Sequence, residues 1–296
     1  MKKILYKLLV IATSLAIVAG ILGTVFYIQD KKAKEEAARI EAEENAAKEV
    51  AKAAMTEEEI QALYKEHKKD TPAEPAVEET SEEATEEATE EATQEADTET
   101  EEAATSDSPV DWEGMWEINK DVYAWITVPG TVIDYPILQH ATDNTYYLNY
   151  NIDGSYGYPG CIYTENMNAK DFSDNNTVIY GHNMKNGSMF AGLHQYEERS
   201  FFEEHPQILI YTPEKTYDYT IFAAYIYDDR HLMYSFDFAN EDVYASYLDT
   251  ILNMRDLSAN IRDDVTVTKE DTIITLVTCM SNQPDKRLLV QAVLND

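Results

Sequence analysis

The sequence predicts a mainly β domain, closed or sandwiched and with peripheral helices, that follows an N-terminal membrane anchor and a charged stalk. Three observations predict this organisation. The first 29 residues contain a long uncharged apolar run, residues 30–109 are dominated by Ala, Glu and Thr, and all three Trp lie beyond residue 110. Lys+Arg 23 against Asp+Glu 56 excludes general nucleic-acid binding, because phosphate binding needs a basic face.

The apolar run near the N-terminus is long enough to cross a membrane. No charged residue lies between Leu8 and Ile28, and a helix of that length spans a hydrocarbon core about 30 Å thick. A cleaved signal peptide is the alternative, but its apolar region is usually shorter and ends at a small-residue cleavage site that this run lacks. We therefore expect residues 1–29 to be a cytoplasmic tip and retained anchor. The protein is then a single-pass cell-membrane protein whose C-terminal part lies outside the cytoplasm.

Two segments of different composition follow the expected anchor. Residues 30–70 are rich in Ala, Glu and Lys and contain no Gly or Pro, which favours helix. Their apolar stripe is thin, so we expect a solvated helical spacer, with a coiled-coil dimer as the alternative. Residues 71–109 carry 15 acidic side chains, no basic one and three consecutive EEAT repeats. This composition is typical of disorder, and it predicts an acidic linker that acts as an extended tether.

The composition changes again at Val110, and residues 110–296 can bury one substantial core. Two helices are predicted here, a short one from Asp111 to Tyr123 and one from Glu241 to Arg255 whose apolar residues recur at helical intervals. Seven short apolar runs with turn signals between them predict the strands. They are WITVPGTVIDYPIL, GCIYTEN, NTVIYGH, ILIYT, TYDYTIFAAYIY, DTIITLVTC and RLLVQAVL.

Cysteine usage is sparse, and one cysteine has an informative position. Two Cys in the chain exclude a disulfide scaffold and a four-thiolate zinc site. Cys279 ends a run that predicts a buried strand, and Arg287 opens the next run. A buried structural thiol is the ordinary explanation for such a Cys. The alternative is a nucleophile, because two adjacent strands would bring this thiol and this guanidinium together.

His182 is the histidine that fits such a site. It lies just past a predicted strand and follows Gly181, whereas nothing in the sequence distinguishes the other five His. A Cys, a His and an Arg at strand ends supply a nucleophile, an acid/base group and an oxyanion donor. This chemistry requires neither a metal nor an organic cofactor, and we expect none.

Several segments, in register, resemble the sortase family, and class B sortases in particular. They are TLVTC ending at Cys279, IYGHNMKNGSMF around His182, WITVPGTVIDYPILQ, DNTYYL and PGCIYTE. The resemblance covers residues 110–294. It implies an eight-stranded barrel with a helix between the sixth and seventh strands, and an extracytoplasmic, membrane-anchored cysteine transpeptidase.

By this resemblance Cys279 is the nucleophile, His182 the acid/base group and Arg287 the oxyanion and substrate clamp. The implied partners are surface proteins with a C-terminal sorting signal, cleaved after Thr, and an amino group of peptidoglycan. Val277 stands where class B enzymes commonly have Ser, which puts the peptide preference in question. The resemblance further implies substrate-binding roles for Asn144, Leu148, Asn183, Thr275, Val277 and Thr278.

Three other functions remain open at this point. A sortase-type pilin polymerase would use a pilin Lys as the amine, and a Cys/His wall hydrolase would use water. A stalked surface adhesin would have no catalysis at all. The Cys279 and Arg287 spacing argues against the adhesin.

Overall fold

The computed structural model describes residues 55–69 and 108–295, which belong to one compact unit, Met55–Asp296. The expected anchor, residues 30–54 of the expected spacer and residues 71–107 of the expected linker lie outside the described residues. Among the residues that are described, no helix is both long and apolar enough to span a bilayer.

Eight strands close into a barrel. The ring order is β5-β1-β2-β3-β4-β8-β9-β6, and β6 pairs with β5 to close it, while β7 adds to β6 outside the ring. The β2–β3 and β4–β8 pairs are parallel and the other pairs are antiparallel. The strands are β1 Val122–Thr127, β2 Asp134–Leu138, β3 Ile162–Thr164, β4 Asn176–Tyr180, β5 Gln207–Tyr211, β6 Thr216–Asp228, β7 Asn260–Ile261, β8 Ile273–Met280 and β9 Gln283–Leu294. The predicted mainly β class and the implied eight-stranded barrel are confirmed. Seven predicted runs give eight barrel strands, because the first run contains both β1 and β2.

The described helices are short and lie around the barrel. They are α1 Glu57–Glu66, α2 Trp112–Ile118, α3 Tyr146–Asn149, a 3₁₀ helix Phe190–Glu197, α4 Arg199–Glu204, α5 Leu232–Ser235 and α6 Glu241–Leu252. The sequence missed α3, the 3₁₀ helix, α4 and α5, because helices of one or two turns show almost no periodicity. Helix α6 lies between β6 and β8, the sixth and seventh strands of the barrel, as the resemblance implies.

Both predicted helices end earlier than the sequence indicates. Helix α2 stops at Ile118 instead of Tyr123, because Asn119 is extended and β1 has already begun at Val122. Helix α6 stops at Leu252 instead of Arg255, where Asn253 caps it. In both cases a cap residue ends the helix before the apolar pattern does.

Strands β8 and β9 have two buried faces, and this arrangement positions the site. Ile274 and Leu276 of β8 point into the barrel interior, while Ile273 and Val277 pack in a second cluster against α6. Side chains alternate between the faces of a strand. Cys279 therefore shares the outer face with Val277.

Helix α1 is part of the barrel domain, which corrects the solvated spacer expected for this segment. Ile60 and Tyr64 are buried in the main core, and the Tyr64 ring meets the rings of Trp125 and Tyr135 edge-on at 6.0 Å each. Lys68 is also buried and contacts the Asp134 carboxylate. The thin apolar stripe was misleading, because two large side chains suffice to anchor a three-turn helix. A domain boundary at Val110 leaves this helix out.

The residues on either side of the acidic segment lie next to each other on the barrel domain. The Lys69 N–H donates to the Pro109 carbonyl at 3.0 Å, and the Asp111 N–H donates to the His67 carbonyl at 2.8 Å. The two ends of the acidic segment are therefore joined by backbone hydrogen bonds. Whatever the conformation of the residues between them, that segment adds no distance between residues 55–69 and the barrel, which is contrary to the tether role.

Candidate active site

Strand register places Cys279 opposite Arg287. The two residues are Cα partners in the antiparallel β8–β9 pair, so their side chains project from the same face. The Cys279 thiol is free and exposed. Arg287 donates from Nη1 to the carbonyls of Pro284 and Lys286, both at 2.9 Å. These bonds fix the guanidinium plane, and Nε and Nη2 carry further N–H donors.

The parallel β4–β8 pair places His182 at the same end of the sheet. Tyr180 is the Cα partner of Val277, and His182 and Cys279 each lie two residues further along. Two hydrogen bonds extend this pairing, from the Gly181 N–H to the Val277 carbonyl at 3.2 Å and from Thr278 Oγ1 to the Gly181 carbonyl at 2.8 Å. The three residues that the sequence singled out therefore converge at one edge of the barrel.

A backbone carbonyl sets the orientation of the His182 ring. Nε2 of His182 lies 2.7 Å from the Leu148 carbonyl oxygen, and since that oxygen can only accept, Nε2 carries the proton. Nδ1 is then the nitrogen that can exchange a proton with a substrate. The ring also meets Tyr158 edge-on at 5.1 Å.

Gly160 allows the backbone to approach this carbonyl closely. Its φ is +67°, and a Cβ there would lie 2.8 Å from the Tyr147 carbonyl oxygen, 3.0 Å from that of Leu148 and 3.4 Å from His182 Cδ2. A larger residue would displace the group that holds His182.

Asn183 and His194 contact the backbone carbonyl of Cys279. Asn183 Nδ2 donates to the Cys279 carbonyl at 2.9 Å, and it lies 3.2 Å from Ser281 Oγ and 2.9 Å from His194 Nε2. Glu197 Oε1 lies 2.5 Å from His194 Nδ1, and His194 Nε2 lies 3.2 Å from the Cys279 carbonyl oxygen. Nothing in the sequence distinguishes His194, because the Cys279 carbonyl that it contacts lies far away in the chain.

A groove of about 370 Å³ contains the three converging residues. Four of the residues expected to bind substrate have a role at or behind it. Leu148, Val277 and Thr278 line the groove. Asn183 instead donates a hydrogen bond to the Cys279 carbonyl.

Thr275 does not reach the groove, which corrects its expected substrate-binding role. It is fully buried, donates to Asn176 Oδ1 at 2.8 Å and accepts from Gln291 Nε2 at 2.8 Å. Asn144 accepts from the Asn166 N–H at 2.9 Å, and it is its neighbour Thr145 that lines the groove. Strand alternation places Thr275 on the α6 side of β8, beside Gln291, which also contacts Tyr247 of α6.

The second thiol, Cys161, is structural. Cys161 is 1% exposed and precedes β3. Burial raises the pKa of its thiol, with a smaller contribution from the Asp153 charge. Cys161 is therefore a protonated, unreactive thiol at neutral pH.

Glu165 and His231 also line the groove, and the sequence analysis did not identify either. His231 Nε2 lies 2.7 Å from Glu165 Oε1. Glu165 follows β3 and His231 lies just after β6, so the pair joins two segments that are far apart in the chain. The one signal in the sequence that could have indicated Glu165 is its position at the end of the GCIYTEN run. Among residues 55–69 and 108–295, no cluster of three or more His, Cys, Asp or Glu is arranged to hold a metal ion.

Comparison with known proteins agrees with this geometry. The family model described as Sortase domain matches residues 126–295. Sortase B of Listeria monocytogenes is 35% identical over 182 residues, which cover 61% of this chain and 72% of that protein. Sortase B of Staphylococcus aureus is 32% identical over the same length and coverage.

Solved structures give the same result. The X-ray structure of Clostridium perfringens sortase B has a TM-score of 0.57 and 30% identity, covering 62% of this chain and 99% of that one. A Staphylococcus aureus sortase B–substrate complex has a TM-score of 0.55 and 32% identity, covering 62% of this chain and 84% of that one. The chain therefore belongs to the sortase family, in class B, and is a cysteine transpeptidase.

Proposed function

We propose that this protein cleaves a C-terminal sorting signal after Thr and transfers the new carboxyl end to an amino group of cell-wall peptidoglycan. The observation that carries the proposal is the convergence of Cys279, Arg287 and His182 at one end of a groove. The exposed Cys279 thiol lines this groove. Membership of class B supports the choice of a sorting signal as substrate.

In the first half-reaction the Cys279 thiolate attacks the Thr carbonyl carbon. Arg287 donates N–H groups to the oxyanion that develops on that carbonyl. Nδ1 of protonated His182 gives its proton to the leaving amine as the C–N bond breaks. A thioester between Cys279 and the substrate remains.

In the second half-reaction a primary amine attacks the thioester carbonyl. His182, now neutral, takes a proton from the amine, the C–S bond breaks and the Cys279 thiolate leaves. The product is an amide, and both catalytic side chains return to their starting charge state. A pilin Lys would follow the same steps, so the acceptor is tested directly below.

We further propose that residues 1–29 anchor the protein in the cell membrane with the barrel on the extracytoplasmic side. The 21-residue uncharged run from Leu8 to Ile28 supports this. Surface proteins with a sorting signal and the wall precursor are then the partners at that side of the membrane.

The test is a turnover assay of the full chain in detergent, with a sorting-peptide library and three acceptors. These are a peptidoglycan-type amino peptide, a pilin-type Lys peptide and water. We expect cleavage after Thr and preferential transfer to the amino peptide. Preference for the Lys peptide would assign the protein to pilus assembly, and hydrolysis alone would contradict transpeptidation.

The Arg287→Lys variant tests whether the reaction needs the guanidinium group of Arg287 or only its positive charge. One ammonium cannot reproduce the planar fork of Arg, and loss of an oxyanion donor costs about 10²–10³ in rate. We expect a fall of that size in kcat with an unchanged unfolding temperature. Near-normal kcat would show that Arg287 is not the oxyanion donor.

A further inference from the structure

Four side chains that line the groove have a buried polar atom without a hydrogen-bond partner among the described residues; Tyr227 is one of them, and the other three lie together. Glu165 follows β3, Tyr180 ends β4 and His231 lies after β6. They form one cluster, because His231 Nε2 is 2.7 Å from Glu165 and its ring centroid is 6.1 Å from that of Tyr180. Glu165 Oε2, Tyr180 Oη and His231 Nδ1 are each buried without a hydrogen-bond partner among the described residues.

All three unpartnered atoms can accept a hydrogen bond. A carboxylate oxygen accepts only, and a phenol oxygen can accept as well as donate. Nε2 of His231 donates to Glu165, and in the tautomer with its proton on Nε2 the other ring nitrogen, Nδ1, is an acceptor. Buried acceptors left unpaired are costly, and Glu165 is only 6% exposed. A ligand with several N–H donors would satisfy them together.

The surroundings favour a cationic donor. The Tyr163 and Tyr180 rings stack at 5.4 Å beside the Glu165 carboxylate, and aromatic faces attract cations. An ammonium group has three N–H donors in a tetrahedral arrangement, which suits three acceptors that come from three different elements. A carboxylate or phosphate ligand would be repelled by Glu165.

The cluster lies within electrostatic reach of the nucleophile. Burial raises the pKa of Tyr163, and the charges of Glu165 and Cys279 raise it further. The Tyr163 hydroxyl is therefore close enough to both groups to respond to each charge. A ligand held by Glu165 would lie in the same groove as the thioester on Cys279.

We propose that Glu165, Tyr180 and His231 form a subsite for an alkylammonium group of a reactant. This inference rests on the proposed function, which supplies two sources of that chemistry. One source is a lysine-type side chain of the sorting peptide, and the other is the amine that resolves the thioester.

Glu165→Gln tests the subsite. Gln keeps the size of the side chain and an acceptor for His231, but it replaces the unpartnered oxygen with an N–H donor. The full chain is assayed for two ratios. One is kcat/KM for peptides carrying lysine against norleucine at each motif position, and the other is aminolysis against hydrolysis of the acyl-enzyme at fixed amine.

We expect at least a tenfold fall in one of the two ratios, and the ratio that falls identifies the source. Tyr180→Phe, which removes one acceptor and no charge, should lower the same ratio by a smaller factor. Asp285→Asn is the control, because it removes an exposed carboxylate near the site that does not line the groove. Both ratios within twofold of the unaltered chain in both subsite variants would overturn the proposal.

A binding measurement keeps this inference separate from the proposed function. The unfolding temperature of the full chain is followed with n-butylammonium chloride, with n-butanol as the neutral isostere and sodium chloride as the salt control. We expect a saturable rise for the ammonium alone, lost in Glu165→Gln. If the unaltered chain turns over no peptide but shows this rise, the proposed function fails and the subsite stands. If it shows neither, both fail.

Discussion

At the scale of single residues, the two thiols of this protein occupy opposite environments. Cys279 is exposed, whereas Cys161 is 1% exposed and burial raises the pKa of its thiol. Thiolates are the reactive species, and a raised pKa leaves Cys161 protonated until the pH is well above its ordinary value. Iodoacetamide at pH 7.5 should therefore modify one thiol in the folded full chain. Intact mass of the Cys279→Ala variant should show no modification until denaturant is added, and rapid labelling of that variant would contradict the assignment.

Gly160 tests whether the Leu148 carbonyl sets the His182 ring. An Ala there meets both a positive φ and the carbonyls of residues 147 and 148. The control is Gly187→Ala, because Gly187 has a φ of +88° with nothing within 4 Å of an added Cβ. Each variant should lose about 1–2 kcal/mol of stability from the left-handed backbone. Only Gly160→Ala should also lower kcat, by about tenfold, and equal kcat in both variants would show that His182 does not depend on this contact.

The sequence indicated the three residues that we propose to be catalytic, but it did not indicate the residues that hold them in place. Cys279, His182 and Arg287 lie at strand ends, where a motif and a short apolar run are visible in one dimension. Asn183 contacts His194 and Cys279, and Glu165 contacts His231, and each of these partners lies at least 11 residues away in sequence. No periodicity records such pairings. For Thr275 the sequence indicated too much. Its place in the TLVTC segment indicated a substrate-binding role, but its side chain is buried and hydrogen-bonded to Asn176 and Gln291.

At the scale of secondary-structure elements, α1 is the part of the barrel domain that composition concealed. Ile60 is 1% exposed and Glu58 on the same helix is exposed. Ile60→Ala should lower the free energy of unfolding by about 2–5 kcal/mol through a cavity in the core. Glu58→Ala is the matched control and should change it little. Urea unfolding measures both, and equal stability of the two variants would show that α1 does not pack on the barrel in solution.

The strands were predictable because each apolar run is bounded by turn residues. Closure of the barrel was not visible in the runs themselves, since it depends on the β5–β6 pairing. The resemblance supplied that closure. The helix ends at Ile118 and Leu252 could not be predicted from the apolar pattern, because they are set by the caps at Asn119 and Asn253.

At the scale of the whole molecule, the two ends of the acidic segment lie side by side on the barrel domain. The hydrogen bonds between Lys69 and Pro109 and between His67 and Asp111 join its ends. Replacing the 38 residues 70–107 by six Gly and Ser residues should leave anchoring of substrate in cells unchanged. Shorter loops cost less closure entropy, so stability should rise by about 1.5 kcal/mol.

The control for this replacement is a deletion within residues 31–50, which join the expected anchor to α1. That deletion should lower anchoring in cells if reach from the membrane matters. Loss of anchoring on shortening residues 70–107, with unchanged peptide cleavage in detergent, would show that the acidic segment supplies the reach after all.

The acyl-enzyme is the most direct test of catalysis by the Cys279, His182 and Arg287 site. The full chain is mixed with a cleavable sorting peptide without amine, quenched in acid and analysed by intact mass and peptide mapping. We predict an adduct of the N-terminal peptide fragment on Cys279, which an amine removes and which is absent from Cys279→Ala. Peptide cleavage by Cys279→Ala at the normal rate, or an adduct mapped to another residue, would contradict it.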